Sequence, residues 1–176
     1  MKIILLFIFT FCAVSVSAQI YVAEDAVKTT VINAEELKSL VKSPEKKQPI
    51  LINFWATWCG ICRREFPDLV EIDKDYRDKG LSFYIVSIDT ISLAETTVSD
   101  FLKVYQAEMP SYILDTPSEI KAIRQIAPRF SGSYPTTLLF NKNGKLVYQK
   151  NGAINAEILR KQIDKVLPKK QFKKNK

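Results

Sequence analysis

The sequence predicts an α/β fold, one mixed β-sheet with helices on both faces, and three observations predict it. Short apolar runs of strand length alternate with segments whose apolar residues recur every three or four positions. Two more strand-like runs flank a four-residue polar turn near the end, the pattern of a hairpin. An apolar content of 47% in 176 residues supplies the core of one compact domain and requires no second one.

Taken in order, Lys2, the apolar run Ile3 to Val14 and the small residues Val16-Ser17-Ala18 read as an export signal ending at Ala18. The run is shorter than the roughly 20 residues of a membrane span; left uncleaved, it would hold the chain at a membrane. Cys12 falls inside it, and Phe9-Thr10-Phe11 lacks the small residues of a lipid-attachment site, so Cys12 is set aside with the signal. Residues 19–167 form the domain. Thr29 to Ile32 predicts an edge strand, Asn33 with Glu36 caps a short helix reaching Lys42, and Ser43 to Pro49 is a polar loop. The stretch ILINFW, Ile50 to Trp55, is the near-continuous apolar run of a strand covered on both faces.

From about Gly60 to Asp78, Phe66, Leu69, Ile72 and Tyr76 line one helix face, and Gly80 supplies the stop. Ser82 to Ile88 is a second buried strand. Ser92 and Glu95 have the spacing of a capping box for the next helix, with Val98, Leu102 and Tyr105 on one face, and Pro110 ends that unit. A short strand near Tyr112 to Leu114 leads to Thr116-Pro117-Ser118-Glu119, a capping threonine, first-turn proline and third-position glutamate that predict a helix to about Ile126. Thr136 to Phe140 and Lys145 to Gln149 flank the turn Asn141-Lys142-Asn143-Gly144, and Asn155 caps a last helix through Leu167. Residues 168–176 are a basic, solvated tail with five lysines, which carries most of the +7 net charge.

The chemistry is narrowed by what the chain lacks. Of three cysteines only Cys59 and Cys62 survive removal of the signal, and there is no histidine. A structural zinc site wants four sulfur or imidazole ligands, and cysteine–histidine catalysis needs the imidazole. No basic-aromatic array suits nucleic acid, so none is expected as a partner. The stretch ATWCGICRREFP therefore holds the chemistry. With Cys59 at a helix start, unpaired amides and the positive dipole end favour its thiolate and lower its pKa below about 8.5. Cys62 lies one turn on, close enough to close a disulfide. A bridge over so short a loop removes little unfolded-chain entropy, which favours a working redox pair over a staple. A soft-metal carrier for Cu(I), or a noncatalytic client-binding module whose disulfide stays shut, are the alternatives.

WCGIC after an apolar strand, Pro67 five residues beyond Cys62, and Tyr134-Pro135-Thr136-Thr137 before the hairpin resemble the thioredoxin superfamily. ATWC and CRREFP resemble its exported TlpA/ResA-like branch. The resemblance implies a thioredoxin-like three-layer sandwich, with residues from about 89 to 116 as a strand-helix insertion after the second core strand. It implies Cys59 as attacking thiolate, Cys62 as resolving thiol, and Trp58, Gly60 and Ile61 as the surface around the sulfurs. It makes Tyr134-Pro135 cis and packed against them, with the Tyr134 backbone able to pair with a bound peptide; the longer stretch Pro128 to Ser133 departs from the family pattern. Pro67 should kink the active-site helix. Thioredoxin proper keeps a buried acid where this chain has Asn53, which is expected to be a satisfied core polar group. Glu65, one turn after Cys62, takes the proton-handling role in ResA-like proteins; the competing reading is a surface charge beside arginines. The implied function is extracytoplasmic thiol-disulfide exchange on exported client proteins, including those of cytochrome c maturation. No cofactor is required, a membrane thiol donor supplies electrons, and the protein acts as a monomer.

Overall fold

The computed structural model describes residues 29–42 and 47–168. The export signal with Cys12, most of the 43–49 loop and the tail beyond Pro168 lie outside the described residues. Six strands form one sheet in the order β1-β4-β3-β2-β5-β6. β1 (Thr29–Ile32), β4 (Ser111–Leu114), β3 (Ser82–Ser87) and β2 (Ile50–Trp55) run parallel, β5 (Thr136–Phe140) is antiparallel to β2, and β6 (Leu146–Asn151) is antiparallel to β5.

All six residues of β2 are buried, because alternate side chains enter different cores. Leu51 and Trp55 pack under α2 (Gly60–Tyr76), α3 (Ser99–Val104) and α5 (Ala156–Val166). Ile50, Ile52 and Phe54 face α1 (Ala34–Lys42) and α4 (Glu119–Arg124). The mixed sheet between two helical layers is the predicted α/β sandwich.

Local signals held where the cap and its target are neighbours in sequence. Asn33 Oδ1 accepts from the amides of Glu35 and Glu36 while the Asn33 amide donates to Glu36 Oε2, a complete capping box. Asn155 caps α5 by accepting from the Ile158 amide at 2.9 Å. α2 ends in a short 3-10 turn, Arg77–Lys79, and Gly80 at φ 90° turns the chain away.

Two capping expectations are corrected. Ser92 lies inside the opening 3-10 turn Ile91–Leu93, so it is already helical; the extended flanking residue is Thr90, whose hydroxyl bonds that of Ser92 at 3.1 Å. That turn continues through a π turn, Ala94–Val98, before α3 begins. At the second site Ser118, not Thr116, caps α4, accepting from the Lys121 amide at 3.4 Å. The pairing of β4 with β1 persists one residue longer, Asp115 donating to the Ile32 carbonyl at 2.8 Å, and the helix starts correspondingly later.

Candidate active site

α2 starts immediately beyond the carboxyl end of β2, the edge where α/β sheets place their ligands. A tight turn joins them, the Cys59 amide donating to the Ala56 carbonyl at 3.1 Å. Cys59 is the helix cap, extended at φ −82° and ψ 103°, and its Sγ accepts from the Cys62 amide at 3.2 Å. The two cysteines are joined as a disulfide. Cys62 is 1% exposed against 7% for Cys59, so the outer sulfur is the one that meets the helix amides. After reduction, the same amide and the helix dipole would stabilise a negative charge on Cys59.

The turn is clamped from both sides. Asp89, just past the end of β3 and almost wholly buried, accepts from the Thr57 amide at 2.9 Å, the Thr57 hydroxyl at 2.8 Å and the Ser87 hydroxyl at 2.6 Å. Arg63 donates to the Thr57 carbonyl at 3.4 Å while its guanidinium lies 5.5 Å from the Phe101 ring centre. Sequence reasoning stopped the strand at Ile88 and passed over Asp89. The available signal was an acid directly after a buried parallel strand, at the functional edge of the sheet.

Pro67 sits inside α2 and has no amide hydrogen for the Arg63 carbonyl. The Tyr105 hydroxyl, from just beyond α3, donates to that carbonyl at 3.4 Å instead. The helix runs unbroken from Gly60 to Tyr76. Phe66 fixes its inner face between Trp55 and Phe101, with ring centres 5.0 and 4.8 Å away.

Glu65 is buried, 5% exposed, one turn behind Cys62. The reading of it as a surface charge beside arginines is overturned: among the described residues no arginine pairs with it. Its Oε1 accepts from Asn53 Nδ2 at 3.1 Å and its Oε2 from the Ile154 amide at 2.8 Å. Loss of hydration raises its pKa above the ordinary carboxylate range, the two hydrogen bonds pull against that rise, and the charge of Asp68 adds a little to it. Asn53 also departs from expectation. Its Nδ2 is shared between Glu65 and the Thr137 hydroxyl at 3.0 Å, but its Oδ1 has no partner among the described residues, so it is only half satisfied.

Tyr134-Pro135 is a cis peptide. The Tyr134 ring packs against the core that includes both cysteines, stands edge-on to Trp58 at 6.5 Å and leans on Phe130 at 5.6 Å. Burial, and behind it the charge of Glu119, pushes its phenol well above the usual range. The Pro135 carbonyl accepts from Gly152, whereas the Tyr134 amide and carbonyl carry no backbone partner among the described residues. The longer loop before it is pinned by Arg124, which donates to the Phe130 carbonyl at 3.1 Å. Trp58 is 66% exposed and Ile61 is exposed beside the dithiol. Gly60 is exposed too, but its missing Cβ is no requirement: one would only touch the end of Arg64 at 3.8 Å. Trp58 and Tyr134 thus stand together beside the core that holds Cys59 and Cys62, with Pro135 next to Tyr134 in the chain, Gly60 and Ile61 on the first turn of α2 and Glu65 one turn further on.

Comparison with known proteins agrees with this geometry. The family model described as Redoxin matches residues 21–167. The thiol-disulfide oxidoreductase ResA of Bacillus thuringiensis subsp. konkukian is 29% identical over 138 residues, 78% of this chain and 75% of that protein. ResA of Bacillus anthracis is 31% identical over 133 residues, 76% of this chain and 69% of that protein. The exposed lipoprotein thioredoxin of Streptococcus pneumoniae superposes with a TM-score of 0.54 at 26% identity, covering 70% of this chain and 88% of its own. The chain belongs to the Redoxin family, on the ResA-like branch of the thioredoxin superfamily, and is a thiol-disulfide oxidoreductase.

Proposed function

We propose that this oxidoreductase works outside the cytoplasm and reduces disulfides of exported client proteins, among them proteins whose cysteines await haem attachment in cytochrome c maturation. One observation carries the direction of attack: the outer sulfur, Cys59, caps the helix and accepts the Cys62 amide, while a buried carboxyl stands one turn behind the inner sulfur. The Cys59 thiolate attacks one sulfur of the client disulfide, forming a mixed disulfide and releasing the other client sulfur as a thiolate. Cys62 then loses its proton to Glu65 and attacks the Cys59 sulfur. The second client sulfur leaves, and the enzyme carries the Cys59–Cys62 disulfide. Two electrons have passed to the client, and a thiol donor in the membrane returns them. A carboxyl whose pKa lies nearer neutrality is a better acceptor for this proton than an exposed glutamate.

Trp58, Ile61 and Tyr134 form the apolar rim on which an extended client segment lies, Gly60 is part of the same surface, and the Tyr134 backbone beside Pro135, without a backbone partner among the described residues, offers it a donor and an acceptor. The signal-like segment at residues 1–18 supports export, residues 19–167 act as one catalytic domain, and the segment 89–116 is the branch-specific insertion supplying α3 and β4. The enzyme acts as a monomer and needs no prosthetic group.

The test is to express Cys62→Ser in the native host and identify what stays covalently attached through Cys59. Apoproteins with haem-attachment cysteines are the expected catch. A broad set of exported proteins would redirect the function to general disulfide repair. An empty trap together with stoichiometric copper on the purified protein would replace it with a carrier role.

A further inference from the structure

Behind Cys62, two fully buried side chains each leave a polar atom unsatisfied among the described residues, Nε1 of Trp55 and Oδ1 of Asn53, and only the second belongs to a partner of Glu65. Asn53 lies in the middle of β2, directly opposite Thr137 of β5. Its neighbours two positions away on the same strand, Leu51 and Trp55, belong to the apolar core under α2, so a leucine would suit the site better than an amide does. The amide has a use only through its partners. Nδ2 gives its two hydrogens to Glu65 Oε1 and Thr137 Oγ1, which fits an ionised Glu65, because a carboxylate only accepts.

A proton on Oε1 reverses that requirement. The carboxyl becomes a donor, and an N–H aimed at it is the wrong partner. A half-turn of the amide exchanges Nδ2 and Oδ1, which have nearly the same size and shape. Oδ1 would then lie between Glu65 Oε1 and Thr137 Oγ1, and both can donate to it. The oxygen left unpaired opposite ionised Glu65 is the acceptor that the protonated carboxyl requires. An aspartate at this place would only accept, and a leucine would do neither.

The other groups facing Glu65 do not supply this exchange. From its own helix it meets the repulsive charge of Asp68. From β6 it faces Tyr148, whose phenol is raised by burial first and by the charge of Glu65 second, but among the described residues no hydrogen bond joins the two. From the β6–α5 loop comes the Ile154 amide, which can only donate. Among the described residues no lysine or arginine pairs with Glu65.

We propose that Asn53 is a positioning residue whose amide turns with the protonation of Glu65 and thereby sets the pH at which that carboxyl takes the proton of Cys62. This rests on the role given to Glu65 above. In the resolving step the Cys62 proton moves to Glu65, the new S–S bond forms to Cys59, the old bond to the client breaks, and the stored proton neutralises the released client thiolate.

The experiment follows Glu65 and Cys62 separately. In the full chain with its disulfide intact, ¹³C labelling of glutamate carboxyls reports the Glu65 titration, identified by its loss in Glu65→Gln. Asn53→Leu removes both the bond to the carboxylate and the one to the protonated carboxyl; the first is the stronger because its acceptor is charged, so the proton affinity of Glu65 rises by the difference, roughly tenfold. In wild type the side-chain amide signals of Asn53 change with the same midpoint, which needs no variant and stands if Asn53→Leu folds poorly. In a Cys59→Ser background, the pH profile of Cys62 alkylation moves in the same direction with Asn53→Leu, and no longer moves when Glu65→Gln is added. A Glu65 midpoint within twofold of wild type in folded Asn53→Leu, or Asn53 signals indifferent to that midpoint, overturns the proposal. A Glu65 midpoint that moves while Cys62 does not overturns instead the assignment of Glu65 to the thiol proton, leaving the hold of Asn53 on Glu65 intact.

Discussion

Removing the Asp89 carboxylate should loosen the turn that presents Cys59. The carboxylate accepts three bonds at 2.6 to 2.9 Å in a site almost closed to water, two of them from Thr57, which stands two residues before Cys59. In Asp89→Ala the Thr57 amide is left buried without its acceptor, and bonds to a charged group are lost. At about 1.5–3 kcal/mol for such a bond and about 1–3 kcal/mol for an orphaned donor, discounted for overlap and for the relief of desolvation, the loss is about 3 kcal/mol. For a chain of this length that lowers Tm by about 6–12 °C. Asp89→Asn keeps an oxygen for the amide and can donate to a rotated Thr57 hydroxyl, so it should cost about 1 kcal/mol. Thermal unfolding of the disulfide-bonded protein by circular dichroism measures both. Insulin reduction, assayed well below Tm, should slow in the same order because Cys59 is less firmly placed. A double-mutant cycle with Thr57→Val tests whether the energy flows through Thr57, and the two changes should fall short of additive by about 1 kcal/mol. Asp89→Ala with a Tm within about 2 °C of wild type would refute the clamp, as would full additivity with Thr57→Val.

Glu65 predicts a pH dependence of stability. Its folded pKa lies above the unfolded 4.5, so the fold binds a proton that the unfolded chain has lost, and the stability it contributes is complete below 4.5 and declines as pH rises through the folded value. Glu65→Gln should lose less stability than wild type across that window, measured as the change in Tm with pH; parallel curves would contradict it. Trp58→Ala removes an exposed ring and should change stability by less than about 0.5 kcal/mol while slowing reduction of a protein disulfide more than that of a small one. Equal slowing of both would remove Trp58 from the client surface. Tyr105→Phe deletes the donor to the Arg63 carbonyl and should cost about 0.5–1 kcal/mol in denaturant unfolding, a cost expected to vanish when Pro67 is replaced by alanine, whose amide can serve that carbonyl. Phe66→Ala opens the aromatic core between Trp55 and Phe101 and should cost about 3–5 kcal/mol, read from the denaturation midpoint.

What the sequence determined by itself is what its neighbouring residues decide among themselves. Ile50 to Trp55 announced a strand buried on both faces, and Asn33 and Asn155 announced helix starts, because a cap and its amides lie within three residues of each other. The cysteine spacing and the helix opening at Cys59 fixed the redox pair for the same reason. The Tyr134-Pro135 isomer came from family resemblance, since local sequence favours trans. Only the tertiary structure decided the surroundings of that pair. Thr57 meets Asp89 across 32 residues because β2 and β3 run parallel and end together, and Asn53 meets Thr137 across 84 because β5 returns antiparallel beside β2. For Glu65 the resemblance implied a proton-handling role, while its neighbours Arg63 and Arg64 left a surface charge as the competing reading; it becomes a buried carboxyl only when α2 lies down on the sheet and the Ile154 amide closes over it. A capping bond spans a few residues, whereas the hydration a carboxyl loses depends on every element packed around it, and strand register brings those elements together from far along the chain.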